Sequence, residues 1–375
     1  MGWKSGWSIG AASSALTTIA EATVSTAVMM DDKRSALPVE LRELLNSVGN
    51  LLKHGSDVDK TFQPIPAMLD EIQAELLTRA EADIVQCAEL HRYWPEPTRV
   101  ARLLHRAQTH SEQLERVTRL EHLFVFHRDG RLREAALRKF NGPISSPFMF
   151  AALSWRLNDW VAEVRMAAVE CATRCFPQTD PLVVARAALV LLSRRATWSR
   201  WITEGEEVDA VFCRPAVISA LATLIIQRPT GPNPTVLRVA LRDPIIDSEL
   251  PRIASDAVQP AARAVAYQTL IAGEANWPQG WRWRWVDKTI GARRRETVFA
   301  SRPITIATSP EAYILQALTD PSGVVRSTAM SGLIRHRDII NNAEEIARRF
   351  IDDPARGVRE RAEFVLKDST SVVRR

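Results

Sequence analysis

Apolar residues recur at every third or fourth position along most of the chain, which is the spacing of one buried face of an α-helix. The first clear run starts at Val39 and is ended by Gly55. Pro64 and Pro66 open a second helical stretch, which we expect to break near residues 81–83. The pattern predicts a helical protein.

From residue 111 onward the apolar stripes come in pairs, with a short polar turn between the two members of a pair. We expect helices at 111–127 and 131–140, at 147–156 and 161–176, at 181–194 and 210–227, and from Pro234 onward and from about Asp256 to Gly273. Ser309 and Asn341–Asn342 are expected to cap the first helices of the last two pairs. The sequence therefore predicts an array of antiparallel helix pairs.

A ten-residue frame recurs at three turns between paired helices: Asp first, Val five residues on, Arg six on and Ala nine on. The copies are Asp159 with Arg165, Asp320 with Arg326, and Asp353 with Arg359. Weaker copies contain Arg133, Arg214 and Arg263, and because their spacing departs from the frame, we expect their turns to differ.

The residue types of the frame predict its structure. Asp can accept hydrogen bonds from the first backbone N–H groups of the following helix. Val and Ala begin the buried stripe of that helix. Because a guanidinium matches a carboxylate, we expect each Arg to bind the Asp of a neighbouring repeat, which gives a structural ladder.

This frame resembles that of HEAT repeats, in which a turn with Asp separates a first helix from a second one that opens with Val-Arg. The resemblance implies a right-handed α-solenoid of antiparallel helix pairs and a non-enzymatic scaffold that binds a protein partner. We expect a mobile arm at 1–36, a helical region at 37–110, repeats at 111–367 with an insertion at 277–306, and a tail at 368–375.

Composition supports the helical interpretation, because the chain contains only 15 Gly and 3 Tyr, and 46% of its residues are hydrophobic. None of the four cysteines forms a CxxC pair, so we interpret them as small buried side chains in a reducing compartment, the cytoplasm. No apolar run reaches the roughly 20 residues of a membrane-spanning helix, and we expect no membrane association. Met29 or Met30 is a candidate for the natural start.

The insertion contains Trp281-Arg-Trp-Arg-Trp285, followed after Gly291 by three consecutive arginines. Alternation places the tryptophans on one face of a strand, so we expect a β-hairpin near 281–304 with a turn at Gly291. Within residues 281–302 there are seven Lys or Arg and two Asp or Glu, a net charge of +5 that equals the formal charge of the whole chain. The basic character of the protein is therefore local.

Two interpretations of the insertion are open: its tryptophans pack on neighbouring helices, or they bind a partner. We assign partner binding to Trp281, Arg282, Trp283, Arg284, Trp285, Arg293, Arg294 and Arg295, and to Trp198 and Trp201 of a shorter insertion. A protein partner is favoured because nucleic-acid-binding solenoids spread positive charge along a groove. The alternative is a nucleic-acid-binding protein. Trp160 is a further candidate contact site, or fills a gap between repeats.

Catalytic motifs are absent from the sequence, and we expect no cofactor or metal. His105 and His110, like His122 and His127, are five residues apart, which does not place either pair on one helix face. Some HEAT-like proteins are DNA glycosylases that use Trp and Asp, and Trp155 with Asp159 resembles such a pair. Because Asp159 already belongs to the frame, we assign it to the ladder. A third hypothesis makes the chain one component of a larger prokaryotic assembly.

Overall fold

The computed structural model describes residues 35–91, 108–195 and 205–372, where the chain is mostly helical with one two-stranded antiparallel hairpin. It divides into two compact units between Lys139 and Phe140. This division lies farther along the chain than residue 110, where the sequence pattern places the end of the N-terminal region. The expected arm at 1–36 lies almost wholly outside the described residues.

The first unit consists of short helices in its described part. They are α1 (Val39–Lys53), α2 (Asp59–Phe62), α3 (Ile65–Asp70), α4 (Leu77–Cys87), α5 (His110–Arg116), α6 (Glu121–Phe124) and α7 (Gly130–Lys139). The break expected near residues 81–83 is wrong, because α4 runs through it. The single helix expected over 111–127 is also wrong. Arg119 has a φ of 66°, which an α-helix cannot contain, so the chain forms α5 and α6 instead.

The second unit begins with helices that follow the apolar pattern closely. They are α8 (Pro147–Arg156), α9 (Ala162–Cys175), α10 (Pro181–Arg194), α11 (Glu206–Phe212), α12 (Pro215–Gln227), α13 (Asn233–Ala240), α14 (Leu250–Asp256) and α15 (Pro260–Ala272). The helix expected over 210–227 is divided in two, because Pro215 has no backbone N–H to continue the hydrogen-bond ladder. A 3-10 helix, Pro244–Glu249, and α14 precede α15 and were not expected.

The remainder of the second unit contains the hairpin and four more helices. These elements are β1 (Glu274–Asp287), β2 (Ala292–Pro303), α16 (Pro310–Leu318), α17 (Gly323–His336), α18 (Ala343–Arg348) and α19 (Arg356–Val372). Ser309 caps α16 as expected, through a hydrogen bond from Ala312 N. Asn342 precedes α18 without a side-chain cap bond, contrary to expectation. Helix α19 extends through Val372, into the segment expected to be a tail.

Helices in the later part of this unit contact one another in a regular series. Helix α14 packs on α15, α16 on α17, and α18 on α19, while α15 contacts α17 and α17 contacts α19. The second helices of successive pairs therefore lie side by side. The buried side chains of these second helices are mainly small or aliphatic, and include Val265, Ala329, Leu333, Val358 and Ala362.

Candidate functional site

The hairpin continues directly from a helix of the second unit. Gly273 ends α15 with a φ of 67°, a left-handed conformation that glycine adopts without a side-chain clash, and β1 begins at the next residue. The chain returns to the same point, because Ile304 N donates to Gly273 O at 3.1 Å. The expected hairpin is confirmed, and its strands begin seven residues earlier than the predicted start at residue 281, at Glu274.

The register places the three tryptophans of β1 opposite alternate residues of β2. Trp281 pairs with Thr297, Trp283 with Arg295, and Trp285 with Arg293. Gly291, with a φ of 69°, lies in the turn where it was expected. We name the surface formed by Trp281, Trp283, Trp285, Arg293, Arg295 and Phe299 the indole face.

The indole face is exposed to solvent. Trp281, Trp283 and Trp285 are 46%, 54% and 50% exposed, and Phe299 is 58% exposed. Of the two interpretations left open by the sequence, the one in which these rings pack on neighbouring helices is therefore wrong. Large aromatic side chains gathered on one exposed surface are typical of interaction sites.

Guanidinium groups lie over the indole rings of this face. The Cζ atom of Arg295 is 3.9 Å from the Trp281 ring centroid. Arg293 lies 5.4 Å from the Trp283 centroid and 5.3 Å from that of Trp285. Trp281 and Trp283 also meet edge to face at 5.7 Å. Such cation–π and aromatic contacts hold the rings in place without burying them.

The opposite face of the hairpin carries a partly neutralised set of charges. Arg282 and Arg284 both donate to Glu296, at 3.2 and 3.3 Å. The hydrogen bond from Arg282, and then that from Arg284, lowers the pKa of the Glu296 carboxyl. Arg294 pairs across the strands with Arg284, so two like charges lie opposite each other. Like charges at this spacing destabilise a two-stranded sheet.

A buried carboxylate fixes the base of the hairpin to the helical part of the unit. Asp247, fully buried, accepts from Arg302 Nη1 and Nη2, both at 2.8 Å, and from Thr305 N at 2.8 Å. Burial works to raise the pKa of Asp247, but the hydrogen bonds from Arg302 and Thr305 outweigh it and lower that pKa. We call Asp247, Arg302 and Thr305 the hairpin anchor. No sequence signal connects Asp247 with Arg302, since they are 55 residues apart.

Two of the frame's arginines form bidentate pairs with aspartates of the following frame. Arg326 donates to Asp353 at 2.7 and 2.9 Å, and Arg263 donates to Asp320 at 2.7 and 2.8 Å. The hydrogen bond from Arg326 is the largest influence that lowers the pKa of Asp353. These pairs are mostly buried, so we assign their side chains a structural role.

At every copy of the frame except that of Arg214, the arginine also donates to two backbone carbonyls, those six and five residues before it. Arg165, Arg326 and Arg359 do so at the full copies of the frame. Arg133 and Arg263 make the same two contacts, although their copies are weaker. The arginines of these two copies therefore keep the contacts of the full frame despite the different spacing from Asp. Arg214 does differ, because it binds carbonyls of Phe176, Pro177 and Thr179.

The other candidate contact tryptophans lie apart from the hairpin in sequence. Trp160 is 74% exposed, so it does not fill a gap between repeats. Trp198 and Trp201 lie outside the described residues. The neighbouring Asp159 is buried and accepts from Val161 N at 3.0 Å, which ties its carboxylate into the turn before α9.

Two of the histidines considered as candidate ligands form a packed aromatic cluster. The His110 and His127 rings are 5.5 Å apart and meet edge to face, and Phe124 packs against both. Burial lowers the pKa of His127 to about 4 and also lowers that of His110. In the described ranges no three His, Cys, Asp or Glu side chains are grouped to hold a metal ion. His105 lies outside those ranges.

The described cysteines are free thiols. Cys171 and Cys175 are buried one helical turn apart in α9. The hydrogen bond with Cys175, together with burial, raises the pKa of the Cys171 thiol. Burial and a hydrogen bond with Asp243 raise the pKa of Cys213 to about 12. These shifts keep Cys171 and Cys213 protonated, and protonated thiols are poor nucleophiles and poor metal ligands.

Comparison with protein-family models, with curated proteins and with solved structures gave no match to this chain. In the part of the chain that the structure describes, no helix has the length and apolar character needed to cross a bilayer.

Proposed function

We propose that this protein is a non-enzymatic scaffold of HEAT-like repeats, arranged as a right-handed α-solenoid. Support comes from the side-by-side packing of α15, α17 and α19 and from the repeated arginine contacts at the turns between paired helices. We place it in the cytoplasm, since free thiols are typical of a reducing compartment.

The scaffold binds a protein partner through the indole face. The observation that carries this proposal is the exposure of Trp281, Trp283 and Trp285, each about half accessible on one side of a hairpin anchored at its base. Trp and Arg are the residues most enriched among those that dominate binding energy at protein interfaces. Rings already held by guanidinium groups lose little conformational freedom when a partner covers them.

A protein partner fits this surface better than nucleic acid does. Arg295 lies 3.9 Å above Trp281, so one side of that ring is occupied within the hairpin. A base stacks on an open aromatic face, whereas a protein surface can pack against the edges and the remaining sides of the rings. The partner's contact surface is expected to combine apolar side chains with carboxylates.

Purification from the native host tests this proposal. We expect a partner to accompany the wild-type protein and to fall by about tenfold or more when Trp281, Trp283 and Trp285 are all changed to Ser. Trp160→Ser is the matched control, because it removes an exposed indole outside the hairpin. Circular dichroism must show equal helical content in all three proteins. A partner retained in full by the triple variant contradicts the proposal.

Nucleic acid is the second candidate, and the charge of the hairpin favours it: residues 281–302 hold seven Lys or Arg and two Asp or Glu. Fluorescence anisotropy with duplex DNA and single-stranded RNA, in about 50 and about 200 mM salt, tests it. Nucleic acid would be the partner, instead of a protein, if binding is salt-sensitive and is lost when Arg293, Arg294 and Arg295 become Glu, and if no tryptophan-dependent protein partner is found.

A further inference from the structure

The sheet of the hairpin has an edge that is open to another strand. In the described part of the chain it contains only β1 and β2, so each strand has one side without a neighbouring strand. Residues 293–295 of β2 are exposed. Along such an edge, alternate residues present backbone N–H and C=O groups that can pair with an extended chain.

The two edges differ in how they are covered. The first part of β1 contacts α13 and α15, which places helices beside the start of that strand. Farther along β1, Arg282 and Arg284 already share Glu296. The outer edge of β2 is therefore the better acceptor for an incoming strand.

The charges along β2 specify the chemistry of that strand. Arg293, Arg294 and Arg295 are consecutive, and among the described residues none of the three forms an ion pair with a carboxylate. Two of them lie over indole rings, and Arg294 lies opposite Arg284. Because successive residues of a strand point to opposite faces, a third strand with carboxylates on both faces would neutralise all three.

An exposed aromatic side chain on β2 lies nearer the base of the hairpin than the three arginines do. Phe299 lies on the indole face, 58% exposed, four residues nearer the base than Arg295. A strand alongside β2 therefore meets positive charge near the turn and an aromatic ring nearer the anchor. Its matching side chains are acidic at one end and apolar at the other.

We propose that an extended protein segment, acidic at one end and apolar at the other, adds to β2 as a third strand. This inference rests on the proposed function and names the kind of partner that the hairpin takes. The acidic end pairs with residues 293–295, and the apolar end covers Phe299. Main-chain hydrogen bonds to the β2 edge supply the alignment.

Synthetic peptides test this directly. A fluorescein-labelled ten-residue peptide, with Glu and Asp in one half and Val and Phe in the other, is titrated with the full-length protein and followed by anisotropy. We expect binding to weaken on the order of 100-fold when Arg293, Arg294 and Arg295 become Glu. A peptide with Lys in place of its acids is expected to bind that variant instead. Changing Arg348, Arg349 and Arg356 to Glu is the control, because these exposed arginines give the same change in net charge.

Backbone methylation separates strand addition from contact by side chains alone. N-methylation of alternate peptide residues in one register is expected to abolish binding, and in the other register to leave it unchanged, because only one edge of the added strand bonds to β2. Hydrogen exchange should slow at residues 293–299 in the complex.

The outcomes are distinguishable from those of the proposed function. Equal binding of both methylated peptides, or binding that ignores the three arginines, overturns strand addition even if the tryptophan-dependent partner is captured. Capture of that partner by the variant that lacks the three tryptophans overturns the proposed function instead. Preference for single-stranded RNA of equal charge over every acidic peptide overturns both.

Discussion

Arg326 uses nearly all of its guanidinium donors. Nε and Nη2 bind the two oxygens of Asp353, and Nη1 donates to the carbonyls of Asp320 and Pro321 at 2.9 Å. One side chain thus joins its own turn to the turn of the next pair. A lysine has neither the planar shape nor the number of donors to do the same.

We expect Arg326→Ala to lower the free energy of unfolding by about 2–4 kcal/mol, because it leaves the buried Asp353 carboxylate without its cation. Chemical denaturation measures this. Arg356→Ala is the control, since the Arg356 side chain is 84% exposed in its pair with Glu360, and should leave the free energy of unfolding nearly unchanged. Equal effects of the two changes would contradict the assigned role of Arg326.

His127 makes stability depend on pH. Its Nδ1 accepts a hydrogen bond from Asp129 N at 2.9 Å, which requires the neutral ring, and burial lowers its pKa from 6.5 to about 4. The unfolded chain binds the proton more tightly, so the contribution is complete above pH 6.5 and is lost as the pH falls from 6.5 to about 4.

We expect this loss to reach about 3 kcal/mol, which corresponds to the shift in pKa. Urea denaturation at several pH values measures it, and His127→Phe should show a flatter profile over that range. His54→Gln, at an exposed histidine, should retain the wild-type profile. A wild-type pH dependence that survives His127→Phe would assign the effect to other groups.

At the scale of elements, the hairpin anchor stabilises the hairpin. A two-stranded sheet is marginally stable in water without further support. Here the support comes from Asp247, which is buried and receives both terminal nitrogens of Arg302.

Asp247→Asn should therefore loosen the hairpin more than the helices. Hydrogen exchange followed by mass spectrometry should show faster exchange in peptides from 274–303, with α17 nearly unchanged. Asp243→Asn is a suitable control, because the Asp243 side chain caps the 3-10 helix nearby and does not bind Arg302. Uniformly faster hydrogen exchange across the second unit would show that Asp247 stabilises the helices as much as the hairpin.

Local signals in the sequence were sufficient for most elements. Ser146-Pro147 and Ser309-Pro310 mark helix starts, and the alternation from Trp281 to Trp285 marks a strand. Breaks at Arg119 and Pro215 were missed, the first because positive φ has no reliable sequence signal. Exposure of the tryptophans was not predictable either. Alternation separates the two faces of a strand but does not identify which one the rest of the protein covers.

At the scale of the whole molecule, the hairpin carries most of the net charge. Residues 277–300 contain six Lys or Arg and two Asp or Glu, so their removal reduces the formal charge from +5 to +1. Asn276 and Ser301 are paired across the strands, so an Asn-Gly turn can join them. Such a deletion preserves the hairpin anchor.

We expect this deletion variant to retain the helical circular dichroism of the wild type and to elute earlier from a cation exchanger at neutral pH. The expected change in melting temperature is small, because residues 281–290 are all exposed and bury little apolar surface. A matched variant that replaces Arg348, Arg349, Arg356 and Lys367 by Ser also lowers the formal charge by four, without shortening the hairpin. A deletion variant that fails to fold would show that the distal hairpin is part of the core.

The anchor also sets a distance. Ala275 is buried at the base of β1, and Trp285 lies ten residues farther along the strand. At about 3.3 Å per residue, Trp285 lies roughly 30 Å along β1 from Ala275. A partner that binds at Trp285, as we propose, is held by the anchored hairpin rather than by a flexible linker, and it leaves the helical surfaces accessible to a second molecule at the same time.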